Sequence, residues 1–159
     1  MIYSKTCEYA IRALIYFAES PEKEYATVRD VSQASGVPQA YVAKIFQCLT
    51  HANILRSRRG ASGGYFLAMP VGDLTLLRII QSLDDLTKSP FSNCIMGFDK
   101  CNDRNPCPLH PVWAKAKEKM LERLADTSIA DVAALGDRFR KGRQRRRVLS
   151  KRMREMFTV

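Results

Sequence analysis

The chain has 159 residues, a net charge of +10 and 46% hydrophobic residues, which suits one domain with a small core. Its longest apolar run, residues 11–18, is interrupted by Arg12 and is too short to span a bilayer. The start of the chain lacks the features of an export signal, so we predict a cytoplasmic protein without membrane contact. In that reducing compartment, clustered cysteines are expected to be metal ligands or redox thiols rather than disulfides.

The positive charge is concentrated at the carboxyl end. Residues 136–159 contain ten lysines and arginines against only two acidic residues, Asp137 and Glu155. We interpret this basic tail either as a nonspecific contact to the DNA backbone or as a solvated segment.

Residues 9–18 predict a buried helix, because apolar residues recur there at helical spacing: Ile11, Leu14, Ile15 and Ala18. Glu8 and Arg12 lie one turn apart and can form a solvated ion pair on its polar edge. The alternative is that Glu8 projects toward something that it ligates.

Two short helices follow, and their junction predicts a helix-turn-helix motif. Thr27 and Asp30 resemble a capping box that starts the first helix. Gly36 ends it, and Pro38 suits the first turn of the second helix. The second helix should bury one stripe of residues: Val42, Ile45, Phe46 and Leu49.

The opposite face of the second helix suits the major groove of DNA. It presents an amide, a cation and small side chains: Gln39, Ala40, Ala43, Lys44 and Gln47. Glutamine can read adenine, lysine can read guanine or bind phosphate, and alanine can contact the thymine methyl group.

Residues 54–67 predict a strand, a glycine-rich turn and a second strand. Arg56, Arg58 and Arg59 lie at the approach to the turn, and the glycines permit a close backbone approach to phosphate. The order of helix, turn, helix and basic hairpin is that of a winged helix, although a plain surface hairpin is the alternative. The predicted DNA-contacting residues are Thr27, Gln39, Ala40, Tyr41, Lys44, Arg56, Arg58, Arg59, Gly60, Ser62 and Gly63.

A cysteine-rich loop follows a short amphipathic helix predicted at residues 74–83. Cys94, Cys101, Cys107 and His110 have the spacing C-x6-C-x5-C-x2-H among prolines and turn residues. Thiolates suit an iron–sulfur cluster or zinc, and the absence of a closely spaced cysteine pair favours a cluster over a structural zinc site. Free redox thiols are the third alternative. Cys7 and Cys48 lie on helical stretches and are expected to be ordinary buried thiols.

A longer helix after the loop, reaching about residue 125, carries one apolar stripe that includes Leu121. We predict that this stripe forms a dimer interface through Trp113, Ala116, Met120 and Leu124. The alternative is that the helix packs back onto its own head. Residues 127–135 predict a further short, capped helix.

Several of these segments resemble the winged-helix regulators of the IscR and NsrR type. The resemblance rests on Tyr9-Ala10, on residues 37–55, on the wing sequence of residues 58–67 and on the three-cysteine loop before Trp113. It implies a homodimer that binds a near-palindromic operator, with a 2Fe–2S or 4Fe–4S cluster in each subunit. It also implies a response to nitric oxide, redox state or the supply of iron and clusters.

The resemblance leaves the fourth cluster ligand open. IscR-like proteins use a histidine at the position of His110, whereas NsrR-like proteins donate a carboxylate across the dimer from the position of Glu8. The chain also departs from the family pattern twice. Its first cysteine gap is one residue longer than the commonest form, and Ala43 replaces an acidic base-reading residue, which leaves room for a different operator.

Together these patterns predict a mainly α fold with a small β-hairpin, a winged helix-turn-helix head and a long dimerisation helix. The predicted segments are a DNA-binding domain at residues 1–86, a cluster-binding loop at 87–111, a dimerisation region at 112–135 and a tail at 136–159. The predicted function is a homodimeric regulator that binds an operator in double-stranded DNA under the control of an iron–sulfur cluster. The alternatives are a DNA-binding protein with structural zinc and a thiol redox protein. Neither an enzymatic motif nor a small-molecule substrate is expected.

Overall fold

The computed structural model describes residues 3–60, 63–84, 93–98 and 101–136. Seven elements follow in order: α1 (Lys5–Glu19), α2 (Val28–Ser35), α3 (Gln39–His51), β1 (Leu55–Arg58), β2 (Gly64–Leu67), α4 (Leu76–Leu83) and α5 (His110–Asp126). A further helix, α6, covers residues 129–136. The mainly α architecture with one hairpin confirms the predicted fold class. Ser62, residues 85–92 and residues 137–159 of the predicted tail lie outside the described residues.

Helix α1 begins earlier than its apolar pattern predicted. Ser4 caps it, because the Ser4 hydroxyl accepts the N–H of Cys7 at 3.2 Å. The helix buries one face in the core: Cys7, Ala10, Ile11, Ala13, Leu14 and Tyr16. It is the central element of the head, because α2, α3 and α4 all pack against it.

The helix-turn-helix forms as its sequence signals predicted. Thr27 and Asp30 make a reciprocal capping box at the start of α2. Gly36 ends α2 with a φ of 70°, a conformation that glycine adopts without steric cost. Pro38 immediately precedes α3, and the predicted stripe of α3 is buried: Val42, Ile45, Phe46 and Leu49.

The hairpin pairs antiparallel, from Leu55 opposite Leu67 to Arg58 opposite Gly64. Its turn needs glycine at Gly63, since a Cβ there would collide with the carbonyl oxygen of Arg58. The ring of Phe46 on α3 lies 4.8 Å from that of Tyr65 on β2 and 6.1 Å from that of Phe17 on α1. These contacts join the hairpin, the second helix of the motif and α1 into one core.

Helices α5 and α6 return to the head that precedes the loop. The N–H of Leu76 donates to the carbonyl of Thr127 at 2.9 Å, and the N–H of Ile129 donates to that of Leu74 at 2.9 Å. Ile129 is fully buried in the main core. As the sequence predicted, α6 is capped, here by a reciprocal pair of hydrogen bonds between Ser128 and Asp131.

Leu124, which the sequence assigned to the dimer stripe, is buried within its own chain. It is only 8% exposed, because it packs against Cys7 of α1 and Ile80 of α4 within the same chain. A residue already covered by its own head contributes little area to a partner. The end of α5 therefore follows the alternative of packing back onto the head, while the rest of its apolar stripe is more exposed.

Both helical cysteines were predicted to be buried, and for Cys48 this prediction is wrong. Cys7 is fully buried, as predicted, but Cys48 is exposed on α3. Position 48 lies beside the buried stripe of α3 rather than within it, so the helix directs this side chain to solvent.

Asp84 joins the end of α4 to the start of α1. Its carboxylate accepts the Ser4 N–H at 2.8 Å. Burial by itself raises the pKa of this carboxyl, but hydrogen bonds with Ser4 and Cys7 outweigh the burial, so the pKa of Asp84 lies below its usual value.

We expect Asp84 to stabilise the fold at neutral pH. Because its pKa is lowered by folding, this stability is present above the pKa of the unfolded chain and is lost as pH falls through the folded-state pKa. Asp84→Asn should lower the free energy of unfolding by about 0.5–1.5 kcal/mol at neutral pH, and the difference from wild type should shrink in acid. Urea unfolding at several pH values measures this, and a difference that is constant with pH would contradict it.

The two helical cysteines should differ in reactivity toward iodoacetamide. Burial raises the pKa of the Cys7 thiol to about 12, whereas Cys48 is exposed. At neutral pH the native protein should be alkylated at Cys48 and not at Cys7, since the reaction needs an accessible thiolate. Peptide mass spectrometry reads the sites, with unfolded protein as the control in which both react. Native alkylation of Cys7 would show that α1, α4 and α5 do not pack as described.

Candidate nucleic-acid interface and cysteine site

The face of α3 opposite the core is open to solvent. Gln39, Ala40, Lys44 and Gln47 are exposed, while Ala43 is half-buried. Tyr41 is 53% exposed and its ring packs edge-on against that of Tyr9 at 5.6 Å. The first turn of α3 is thus supported by α1 while its predicted base-reading side chains stay accessible.

The wing arginines differ in how they are held. Arg58 donates from Nη1 to the hydroxyl of Tyr25 at 2.8 Å. Within the part of the chain that the structure describes, Arg56 and Arg59 are exposed and make no such bond. Gly60, at the start of the turn, has a φ of 121°, which only glycine adopts readily.

Thr27 lies at the start of α2, but its polar groups are engaged. Its hydroxyl donates to the carboxylate of Asp30 at 2.7 Å and accepts the N–H of Asp30 at 3.2 Å. A contact between the Thr27 hydroxyl and DNA therefore has to share or open this cap.

The cysteine loop brings the four predicted donors to one open cavity of about 650 Å³. They meet as two pairs. The sulfurs of Cys94 and Cys107 are 3.5 Å apart, and the sulfur of Cys101 is 3.2 Å from Nδ1 of His110. Across the described ranges, no three histidine, cysteine, aspartate or glutamate side chains converge closely enough to hold a single metal ion.

The backbone around Cys94 favours its thiolate form. The N–H of Met96 contributes most, and the Cys107 thiol, the N–H of Phe98 and the charge of Lys117 add to it. Together they outweigh desolvation and hold the pKa of Cys94 below its usual value. Hydrogen bonds from several backbone N–H groups to a sulfur are typical of anion and iron–sulfur sites.

His110 is fixed from both sides of its ring. Nδ1 faces Cys101, and Nε2 lies 2.8 Å from the carboxylate of Asp103. The His110 side chain is 12% exposed. When this carboxylate accepts the Nε2 proton of a neutral imidazole, Nδ1 is unprotonated, and its lone pair can accept from Cys101 or bind a metal. Asp103 was not among the residues predicted for the site. It lies seven residues before His110 in an irregular loop, where spacing along the chain does not predict which side chains meet.

Trp113 is held to the beginning of the loop. Its indole Nε1 donates to the carbonyl of Asn93 at 3.1 Å, so the segment just before Cys94 is tied to the first turns of α5. Trp113 therefore has a role within its own chain, whereas the sequence suggested only a dimer contact.

Glu8 makes the ion pair that the sequence allowed. Its carboxylate accepts from Lys5 and from Arg12, each at 2.6 Å. The Lys5 hydrogen bond is the largest influence and, with Arg12, keeps the pKa of Glu8 below its usual value. Within its own chain, Glu8 is not among the residues that line the cysteine cavity.

Among the described residues, none of the helices is both long and apolar enough to cross a membrane.

Comparison with known proteins identifies the family. The family profile described as Rrf2, an iron-dependent transcriptional regulator, matches residues 3–135. A protein of Aquifex aeolicus (strain VF5) described as an HTH-type transcriptional regulator is 28% identical over 134 residues, which are 83% of this chain and 91% of the relative.

Two solved structures have the same fold. CymR, the global cysteine regulator of B. subtilis, superposes with a TM-score of 0.70 at 21% identity, covering 84% of this chain and 97% of CymR. T. potens IscR superposes with a TM-score of 0.64 at 24% identity, covering 83% of this chain and 85% of IscR.

The resemblance to winged-helix regulators that the wing and the cysteine loop suggested is confirmed. The matching family and relative are transcription regulators and not enzymes. The chain belongs to the Rrf2 family and is a DNA-binding transcription regulator.

Proposed function

We propose that this regulator is a homodimer whose affinity for its operator is controlled by an iron–sulfur cluster held by Cys94, Cys101, Cys107 and His110. The main observation in support of this proposal is that these four donors line one cavity. The loop that forms this cavity precedes α5 in the chain and His110, the first residue of α5, lines it, so a cluster there can influence how α5 holds two heads relative to each other.

The pairing of the donors fits a 2Fe–2S cluster. In such a cluster each of the two irons takes two protein ligands, and histidine can replace cysteine. With metal–donor bonds of about 2.0–2.3 Å, two donors on one tetrahedral ion stand roughly 3.3–3.8 Å apart. The distances of 3.5 Å and 3.2 Å within the two pairs are close to that range. A single zinc ion needs all four donors around one point, which the two separate pairs do not provide.

When bound, such a cluster supplies a redox-active centre that can react with oxidants or nitric oxide. The residues of the chain hold and shield it. Backbone N–H groups of Met96 and Phe98 face the Cys94 sulfur. Asp103 orients His110, while Phe98, Pro106 and Pro108 supply apolar walls.

The exposed face of α3 and the wing form the proposed DNA interface. In the complex, α3 lies in the major groove and the wing arginines contact the backbone or the adjacent minor groove. Two such heads need a spacing of about 34–36 Å to engage both half-sites of an operator. The position of each head on its dimer helix therefore determines affinity without any change in the base-reading residues.

The remaining apolar stripe of α5 forms the proposed dimer interface. Leu109, Val112, Trp113, Ala116 and Met120 lie on one side of the helix at helical spacing. Val112 is 72% exposed and Met120 is 39% exposed. Burial of this stripe against a second copy stabilises a dimer by removing apolar area from water.

A thiol switch is the second candidate function, favoured by the 3.5 Å separation of the Cys94 and Cys107 sulfurs. That distance is longer than a disulfide bond, but it brings the two thiols close enough to form one on oxidation. Metal analysis separates this function from a cluster or zinc.

Replacing any of Cys94, Cys101 or Cys107 with alanine should remove most of the cluster from anaerobically reconstituted protein. His110→Ala should weaken cluster retention more than Glu8→Ala, and Asp103→Asn should weaken it by roughly tenfold to a hundredfold. Absorption spectra with iron, sulfide and zinc analysis provide the measurement. Cys48→Ala is the matched control, since it removes an exposed thiol outside the loop.

The same proteins should then be compared for operator binding with and without cluster. A changed affinity on cluster loss supports the sensor function. Zinc without iron or sulfide in the purified protein would favour the structural zinc alternative. Equal operator affinity of the two forms would contradict control by a cluster.

Met120→Asp should convert the dimer to a monomer, because the dimer would have to bury an unpaired carboxylate. Sedimentation at micromolar concentration measures the assembly state. Ala125→Asp is the control, since Ala125 is exposed on another side of α5. Leu124→Asp should instead lower the thermal stability of each chain, because Leu124 packs on Ile80 and Cys7. A wild-type monomer at the same concentration would contradict the proposed interface.

A further inference from the structure

Tyr25 is held beside the wing by both backbone and ring contacts. The next residue, Ala26, exchanges two backbone hydrogen bonds with Tyr65 of β2, each 2.9 Å long. The Tyr25 ring packs edge-on against Phe66 with the ring centres 5.5 Å apart. The segment before α2 is thus attached to the hairpin, and Tyr25 cannot move independently of it.

Gly64 permits this close approach. A Cβ at position 64 would lie 2.9 Å from the carbonyl oxygen of Ala26 and 3.2 Å from Cβ of Tyr25. Gly64 is also the cross-strand partner of Arg58. The missing side chain therefore leaves room for Tyr25 to reach across β2 toward the guanidinium on β1.

Arg58 is fixed on Tyr25 in two ways. Its Nη1 donates to the Tyr25 hydroxyl at 2.8 Å, and its Cζ lies 5.4 Å from the centre of the Tyr25 ring. Such contacts restrict the rotamers of a long side chain before any ligand arrives, which lowers the entropy lost on binding.

Tyr25 and Arg58 can still donate hydrogen bonds to a ligand after they have bonded to each other. A guanidinium has only donors, so the Tyr25 oxygen must act as the acceptor in their hydrogen bond. The hydroxyl hydrogen of Tyr25 and the other guanidinium N–H groups are not used by that bond. A planar guanidinium beside a phenolic O–H matches the several acceptor oxygens of a phosphate.

We propose that Tyr25 and Arg58 form a composite binding site for one phosphate of the DNA backbone at the wing. Tyr25 donates its hydroxyl hydrogen to the phosphate and holds the guanidinium in position, and Arg58 supplies the charge. This inference rests on the DNA interface proposed above and adds to it a residue outside the predicted DNA-contacting set.

The test measures binding of the full-length protein to a short mixed-sequence duplex across a salt series. Tyr25→Phe keeps both ring contacts and removes the hydroxyl. It should weaken binding by roughly threefold to tenfold without changing the salt slope. Arg58→Ala should reduce the slope by about one, and adding Tyr25→Phe to it should have little further effect, because the two groups bind the same phosphate.

Tyr16→Phe is the matched control. Tyr16 accepts a hydrogen bond from Lys23 at 2.9 Å and carries that cation over its ring at 5.4 Å, so it repeats the tyrosine–cation arrangement away from the hairpin. Affinity should stay at the wild-type value in this variant. Equal weakening by both tyrosine variants, or unchanged binding by Tyr25→Phe, would overturn the composite site.

A second measurement does not depend on the stability of the variants. A duplex scanned with single neutral methylphosphonate linkages should contain a position that weakens the wild type but not Tyr25→Phe or Arg58→Ala. If the wild type binds DNA but the duplex contains no such position, the composite phosphate site is refuted and the proposed DNA interface is not. Failure of the wild type to bind any duplex would instead overturn the proposed interface.

Discussion

The interactions of His110 connect the cysteine loop to the rest of the molecule. His110 is the first residue of α5, its ring nitrogen faces the sulfur of Cys101, and its N–H donates to the carbonyl of Cys107 at 2.9 Å. Whatever orders the loop therefore orders the start of α5. The other end of this helix, about 25 Å away at 1.5 Å per residue, is fixed by Leu124 on the head.

Under the proposed mechanism, the loop acts on the DNA interface through α5. Phe46 contacts both Phe17 and Tyr65, so α1, α3 and the wing share one packed core and move as a unit. A change at the start of α5 cannot easily deform that core, because packed interiors resist continuous deformation. In the proposed dimer, it can change the angle between the head and the dimer stripe. That angle determines the distance between the two recognition helices, which has to match the half-site spacing of the operator.

The parts of the fold that depend on local signals could be predicted from sequence. The capping box of Thr27 and Asp30, the turn at Gly36 and the buried stripe of α3 each involve residues within a few positions of one another. The first turn of α1 was missed because Lys5 and Thr6 give it no apolar pattern. Its cap at Ser4 is reinforced by Asp84, eighty positions away.

The errors at α5 and in the cysteine loop also come from contacts between residues that no local pattern relates. The apolar spacing of α5 predicts that Leu124 is buried. It does not predict whether a partner chain or Ile80, distant in the sequence, buries it. The cysteine loop has no period, so its four donors could be named from their chemistry, whereas their pairing and the Asp103 contact needed coordinates. Cys48 is different: its position beside the buried stripe of α3 already contained the signal for exposure. Tyr25 was not recognised because a lone tyrosine before a helix is common.

The choice between His110 and Glu8 as fourth ligand has a consequence for assembly. His110 belongs to the same loop as the three cysteines and already faces one of them, so a cluster held by these four donors can form within one chain. Glu8 belongs to α1, where Lys5 and Arg12 both bind its carboxylate. Exposed ion pairs of this kind are screened by solvent and contribute little stability, so their loss does not prevent ligation by Glu8. Reaching the loop of a second chain does require the dimer, and binding through Glu8 would therefore couple cluster retention to protein concentration. With His110 as ligand, the cluster can form before the two chains associate. The position of α5 that the cluster fixes then determines how the chains associate.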